Sequence, residues 1–492
     1  MSEKFPAEGY RINVLADCFA DAKTWLLDHY LDVDRAHAVM LGEQGIITAA
    51  ELRVLLDAIE SLDRDAILAA DYDGSFEDLF YLLQREITAG SGDADVAGKL
   101  HTARSRNDID VTIYRMQLRP QTLEILRATA ALRGVLMKLA GDHHDSLMPA
   151  YTHTQPAQPT TLAHYLLAMI ENLSRDITRL ESAYDNLNRC PLGAGAITTT
   201  GFPIDRRRVA ELLGFDGPTR NSYGSIASVD YFTELLGAVS ALLVNIGKFA
   251  QEFLLMAMME FDVIRLPDGY VQASSIMPQK RNPVALEHVR ALASKALGQT
   301  QGVITAVHNT PFGDINDVED DLQPLIYSGL RDALRSVSLL AGALDAASFD
   351  VERLARRARE NFITVTELAD TLVRMDGLSF RRAHAIVARS VALATAAGSD
   401  ITRDMLAEAA TETIGRDVSL SADDLETAVS PENFVAVRSV FGGPAPAETR
   451  TALDEQRRIA AEDEAWVAAR EAHLRAARSL LDERTAVARA AG

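Results

Sequence analysis

The sequence predicts an all-α protein with long helices bundled in its central part, and three observations lead there. Apolar residues recur at three- and four-residue spacings over long stretches, as at Leu132, Leu136 and Leu139. No stretch keeps the alternation of a half-buried strand, and β-branched residues are scattered. Gly- and Pro-containing breaks are few, so the segments between them are long.

In the first part, to about residue 110, Ala36-His37-Ala38-Val39-Met40-Leu41 and Ala49-Ala50-Glu51-Leu52-Arg53-Val54-Leu55-Leu56 have helical composition and spacing. Gly45 and Asp71-Tyr72-Asp73-Gly74-Ser75 punctuate them. The central part, 111–350, opens on a long helix in which Pro120 predicts a kink. Further helices are expected over about 161–188, 225–260, 283–308 and 322–346. Leu242-Leu243-Val244, with Phe249, Phe253 and Leu254-Leu255, gives one of these apolar residues on more than one face. A helix apolar all round must be surrounded, which predicts a homo-oligomer with a shared helical core. The last part, 351–492, is helical but more charged, with turns at Asp376-Gly377 and Gly442-Gly443-Pro444. Its tail, from about Glu448, offers Leu453, Trp466, Leu474 and Leu481 for packing. Three domains follow, 1–110, 111–350 and 351–492.

The bulk properties narrow the function. With 49 basic and 70 acidic side chains, the net charge is −21 over 492 residues, which argues against nucleic acid or an anionic membrane as partner. A local basic cluster in such a chain points to a small anionic ligand. Cys18 and Cys190 are too few for a disulfide scaffold or a Cys-based zinc site, so a cytoplasmic protein is expected. Met1-Ser2-Glu3-Lys4-Phe5-Pro6 lacks the pattern of an export signal. The most apolar run, Leu235 to Gly247, is too short to span a bilayer and contains Ser240 and Asn245, so it reads as a buried helix.

Ala273-Ser274-Ser275-Ile276-Met277-Pro278-Gln279-Lys280-Arg281-Asn282-Pro283 puts two hydroxyls and a cationic pair before a helix start. Asn282 suits the N-cap and Pro283 the first helical position. Positive potential from Lys280, Arg281 and the helix N-terminus would stabilise a serine alkoxide or hold a substrate carboxylate. The plainer alternative is a basic surface loop. Leu100-His101-Thr102-Ala103-Arg104-Ser105-Arg106-Asn107-Asp108 offers Arg forks with Ser and Asn donors, a set that suits carboxylates or, on the plainer reading, local ion pairs. In Tyr151-Thr152-His153-Thr154-Gln155, His153 is poised for proton transfer if Glu287 orients it. His101, His143 and His144 have no comparable company. No residue spacing forms a metal site, and Gly193-Ala194-Gly195 lies between helical segments instead of after a strand.

The stretch Ser274 to Pro283 resembles the signature loop of the fumarase/aspartase superfamily, with Ala273 where Gly is usual. Its Met277-Pro278-Gln279-Lys280 form is similar to the argininosuccinate lyase branch, as is Gly98-Lys99-Leu100-His101-Thr102-Ala103-Arg104-Ser105-Arg106-Asn107-Asp108, where Ala103 replaces a Gly. Tyr151-Thr152-His153, Ala157-Gln158-Pro159, Pro191-Leu192-Gly193 with Gly195-Ala196, and Asn221-Ser222 with Asp230 extend the likeness in order along the chain. The resemblance implies a three-domain all-α fold whose central bundle is shared in a homotetramer, with each active site built from loops of three subunits. It also implies anti-elimination of fumarate from an N-substituted aspartate without metal or cofactor. By position, Ser274 is the base, Lys280 and Asn282 stabilise the aci-carboxylate, and His153 with Glu287 assists proton transfer. Arg106, Asn107 and Thr152, with the hydroxyls of Ser105 and Ser275, bind the substrate.

Two departures stand out. Argininosuccinate lyases usually carry Glu-Asp-Ile-His where this chain has Glu77-Asp78-Leu79-Phe80. They also carry a Tyr, a Gln and a Lys after the signature helix, where this chain has Thr310-Pro311-Phe312-Gly313-Asp314-Ile315-Asn316-Asp317-Val318-Glu319-Asp320. By position Asn316 replaces the Gln and Glu319 the Lys, which reverses the charge offered to a ligand. The expectation is a fumarate-releasing carbon–nitrogen lyase whose partner is an amine other than arginine, as in ethylenediaminedisuccinate lyases. An ordinary argininosuccinate lyase and a non-catalytic, crystallin-like structural protein are the alternatives.

Overall fold

A computed structural model describes residues 5–491. Most of the stretch in which no export signal was found, residues 1–4, lies outside them. Helix α1 (Ala16–Glu43), α2 (Ala49–Glu60) and α3 (Leu79–Ser91) form the first layer. Thr48 caps α2 with a reciprocal bond to Glu51, and Asp78 caps α3 at the Tyr81 N–H.

Helix α4 (Arg106–Asp142) runs 37 residues and continues through Pro120. A hairpin of β1 (Leu147–Thr152) and β2 (Gln155–Thr161) follows, then α5 (Leu162–Leu187), α6 (Asp230–Met256), the two-residue strands β3 (Gln272–Ala273) and β4 (Arg281–Asn282), α7 (Val284–Val307) and α8 (Gln323–Asp345). Helices α4 to α8 pack on one another as the bundle, with Leu132, Leu136, Leu166, Leu173, Leu242, Ile246, Val289 and Leu340 fully buried. Burying one such leucine stabilises the fold by about 2 kcal/mol.

The observed ends lie close to the expected ones, with three differences. The segment expected over 225–260 is broken, because a short helix, Ser222–Ala227, ends at an extended Ser228 before α6 begins. The apolar run from Leu235 to Gly247 lies inside the 27 residues of α6, which by length and composition alone could cross a membrane; half of its apolar window packs inside the fold. The β1–β2 hairpin escaped the sequence reading, since Pro149, Pro156 and Pro159 argue against paired strands.

A smaller hydrophobic core lies in α9 (Val365–Asp376), α10 (Phe380–Ala397), α11 (Arg403–Ile414) and the turns after them, centred on Leu368, Leu372, Ile386, Leu406 and Leu420. The 45-residue tail helix α12 (Pro446–Ala490) does not join it. It lies along α4, α5, α2 and α1, and Leu453, Val467 and Leu481 bury into the main core.

One buried contact ties the tail down. The guanidinium of Arg133 in α4 is fully buried and pairs with Asp463 of α12 at 2.5 Å. Ser174 Oγ accepts a second bond from it and donates to Gln456 of the tail. Removing Asp463 leaves a charge buried without its counter-ion. Asp463→Ala is expected to destabilise the protein by about 3 kcal/mol, read in denaturant unfolding.

Candidate active site

The N-terminus of α4 presents the first group of site residues. Ser105 N–H donates to Asp108 at 2.8 Å, and Ser105 Oγ donates to Asn107 Oδ1 at 2.5 Å. Arg106 reaches Asp78 at 2.7 Å and Asp110, one turn along its own helix, at 3.5 Å. Tyr30 donates to the other oxygen of Asp110 at 2.8 Å, and Tyr114 donates to Asp320 at 3.0 Å. Arg106 and Asn107 face a cavity of about 320 Å³, whose other walls include Asp78, Asp110, Asp314, Asn316, Glu319, Asp320 and Asp321. Glu77 lines it too, 3.7 Å from Arg106, so a single guanidinium stands in a cavity with seven carboxyl groups. Phe80, where the family resemblance leads one to expect His, is buried with its ring 5.5 Å from that of His101.

Burial decides the protonation of this cluster. It pushes the carboxyls of Asp110 and Glu319 up to about 8, against the pull of Arg106 on Asp110 and with the push of Asp314 on Glu319. Asp78 and Asp320 are raised for the same reason, again against Arg106. Charge without enough counter-charge is costly in such a place.

Thr152 and His153 sit elsewhere, at the exposed tip of the β1–β2 hairpin. Thr152 pairs with Gln155, so His153 and Thr154 are the whole turn. Both have positive φ, 50° and 63°, as the twist of a two-residue hairpin turn requires. Asn-Gly is the usual choice there, and non-glycine residues in that conformation mark a strained, often functional, position. Thr154 Oγ1 donates to the His153 carbonyl at 2.6 Å.

The third group is the loop between β3 and β4. These strands pair Gln272 with Asn282 and Ala273 with Arg281, and the Asn282 amide donates to the Gln272 carbonyl at 2.9 Å. Asn282 therefore closes the neck of the loop and does not cap the next helix; Pro283 is the N-cap, and α7 starts at Val284. Ser274 is half-buried and Ser275 is exposed. Ser274 Oγ accepts N–H bonds from Ile276 (3.3 Å) and Met277 (3.1 Å). The expected cationic pair divides. Arg281 turns back to Asp268 and the Leu266 carbonyl, whereas among the described residues no hydrogen bond or ion pair engages the Lys280 ammonium. Lys280, Asn282, Glu287 and Arg290 line a second cavity of about 620 Å³, with Leu254, Leu255 and Met258 as its apolar side.

One chain therefore holds the expected residues in three places, and the two cavities share no residue. Among the described residues no hydrogen bond or ion pair joins His153, at the hairpin tip, to Glu287, in the first turn of α7. The sequence reading passed over Asp78, Asp110, Tyr30 and Asp108. The Arg106-to-Asp110 spacing of four on a helix was the available signal for one of them.

The comparisons with known proteins agree with this architecture. The lyase family profile matches residues 35–298, and that of the argininosuccinate lyase C-terminal family matches residues 362–436. Argininosuccinate lyase 2 of Agrobacterium fabrum is 44% identical over 457 residues, covering 92% of this chain and 90% of that protein. The crystal structure of EDDS lyase in complex with formate superposes with a TM-score of 0.88 at 34% identity, covering 95% and 92% of the two chains. An EDDS lyase variant with bound fumarate also gives 0.88, at 32% identity and 98% coverage of both. The helical bundle and its serine–lysine loop define a lyase of the fumarase/aspartase superfamily. Within it, the chain belongs to the argininosuccinate lyase branch, and it is a carbon–nitrogen lyase of the fumarate-releasing kind.

The carboxyls of Asp110 and Glu319 generate a prediction with a definite sign. Their pKa values are higher folded than unfolded, so their contribution to stability is full below about pH 4 and is lost as pH rises through about 8. Thermal midpoints are expected to fall between pH 6 and about 9. Glu319→Gln should flatten that slope, and an unchanged slope would contradict the assignment.

Proposed function

We propose that this lyase eliminates fumarate from an N-substituted aspartate whose amine portion is cationic and is not arginine. An aminocarboxylic acid of the ethylenediaminedisuccinate type fits. The observation that carries this reading is the lining of the Arg106 cavity. Asp314, Glu319 and Asp320 stand with Asp78 and Asp110 around one guanidinium that is already ion-paired. An ammonium group entering there would pull the raised pKa values of Asp110 and Glu319 down and so gain their counter-charge. Arg106 and Asn107 are this cavity's donors for one substrate carboxylate; the additional α-carboxylate of arginine would meet acidic side chains instead, and like-charge contacts of this kind discriminate between ligands.

The chemistry divides among the three groups. Two backbone N–H groups on Ser274 Oγ favour its ionised form, which is the form that can take a proton from Cβ of the aspartyl portion. As that proton moves to Ser274, its electron pair delocalises into the neighbouring carboxylate. Lys280, with its uncommitted charge, and the Asn282 amide are suited to hold the aci-carboxylate that forms. The electrons then return as the C=C bond of fumarate, the C–N bond breaks, and the departing nitrogen keeps the bonding pair and gains a proton. His153, oriented by Glu287, is the proposed aid to that transfer. Asn107, Thr152, Ser275 and Arg106 are the proposed substrate contacts, and Ser105 acts on the substrate through Asn107. Because the groups sit apart in one chain, the proposed enzyme is a homotetramer in which copies bring a hairpin tip, a serine loop and an α4 N-terminus together.

The second reading is an ordinary argininosuccinate lyase, favoured by the name of the 44%-identical relative. Loss of fumarate absorbance in the addition direction separates the two. Ethylenediamine and related diamines should consume fumarate, and arginine should not. Glu319→Lys should raise the KM for the diamine at least about tenfold, the scale of one lost charge-assisted contact. Consumption with arginine alone would overturn the reading.

A further inference from the structure

Asp108 is fully buried one residue past Asn107, and its carboxylate collects backbone donors from two segments. Oδ1 accepts the Ser105 N–H at 2.8 Å. Oδ2 accepts the N–H groups of Gly193 and Gly195 at 2.7 and 2.9 Å. Both glycines are left-handed, with φ of 88° and 63°, and so aim two donors into one concavity of the kind that usually cradles an anion. Here the anion is a side chain of the protein itself.

The glycine turn is fixed from its other side. Arg206 donates to the Leu192 and Pro191 carbonyls, both at 3.1 Å, and Thr199 Oγ1 donates to the Gly193 carbonyl at 3.0 Å. A Cβ at Gly193 would lie 2.6 Å from Arg206 Cγ, so no side chain fits there without a shift. From this anchored turn a chain of bonds runs through Asp108 and Ser105 to Asn107. Ser105 Oγ donates to Asn107 Oδ1, which leaves the amide N–H groups of Asn107 as the end free to meet a ligand. Asn107 lines the cavity, whereas neither Asp108 nor Ser105 does.

We propose that Asp108 is a positioning residue, holding Ser105 so that Asn107 presents its amide N–H groups to a carboxylate of the substrate. The inference rests on the proposed fumarate chemistry but not on the identity of the amine. An Asn at 108 keeps the shape and loses one acceptor: its amide N–H groups then face either Ser105 N–H or the glycine pair, donor against donor.

Fumarate binding to the full-length protein, by titration calorimetry, tests it without any amine. Asp108→Asn should weaken fumarate binding about tenfold, the scale of one misplaced charge-assisted hydrogen bond. Ser105→Ala should weaken it comparably with little change in thermal midpoint. The double variant should bind no worse than the weaker single variant, because both changes break one chain of contacts. A purely structural Asp108 would instead lower the thermal midpoint and leave the dissociation constant at the parental value, and that result overturns the proposal. So do multiplying effects in the double variant. Should Asp108→Asn not fold, Ser105→Ala decides alone, and parental affinity in it overturns the proposal. A parent protein that does not bind fumarate contradicts the functional reading itself, and the inference falls with it.

Discussion

The long helix Arg106–Asp142 packs against α1, α5, α8 and the tail helix, and that packing fixes where chemistry can occur. Its N-terminus carries Arg106, Asn107, Asp108 and Asp110 within five residues. Its middle carries Arg133, whose buried pair with Asp463 locks the tail along the bundle. A helix held over so many turns cannot bend to bring its end toward other parts of the same chain. The polar groups at its start are therefore organised by what surrounds them, the acidic loop on one side and the glycine turn on the other.

Charge is distributed to match. The cavity at the α4 N-terminus has an excess of carboxyl groups, and burial makes their charge costly enough that Asp110 and Glu319 are pushed up to about 8. The cavity beside the serine loop has Lys280, Arg281 and Arg290 against Glu287. A substrate with an anionic dicarboxylate end and a cationic amine end complements such a pair, provided that the proposed assembly brings surfaces of this kind together from different copies. Electrostatic complementarity of that sort sets specificity more than raw affinity.

Much of this was legible in the sequence, and the remainder was not, for physical reasons. Helices α5, α7 and α8 were readable to within a residue or so, because long apolar periodicity is a strong signal and their breaks fall at Pro, Asn and Asp. The hairpin that presents His153 was not readable, since its strands hold three prolines and its turn uses His and Thr where Asn and Gly are usual. Asn282 looked like a cap because cap preferences are local, whereas its actual bond is to Gln272, ten residues earlier. Arg281 resembled Lys280 in sequence and differs from it in space, since Asp268 lies within its reach. The charge reversal at Glu319 was visible at once, but its cavity neighbours Asp78 and Asp110 come from the N-cap of α3 and from α4, and only the fold gathers them.

In the proposed assembly, one chain supplies residues of three kinds to active sites it shares with its copies. Mixing two inactive variants tests this most directly. Ser274→Ala and His153→Asn are each expected to consume fumarate with a diamine at least about a hundredfold more slowly than the parent. Co-expressed in one cell and purified as mixed assemblies, they should recover a substantial fraction of parental activity, because some sites draw Ser274 from one copy and His153 from another. Mixed assemblies that remain as inactive as either variant would contradict the shared-site account.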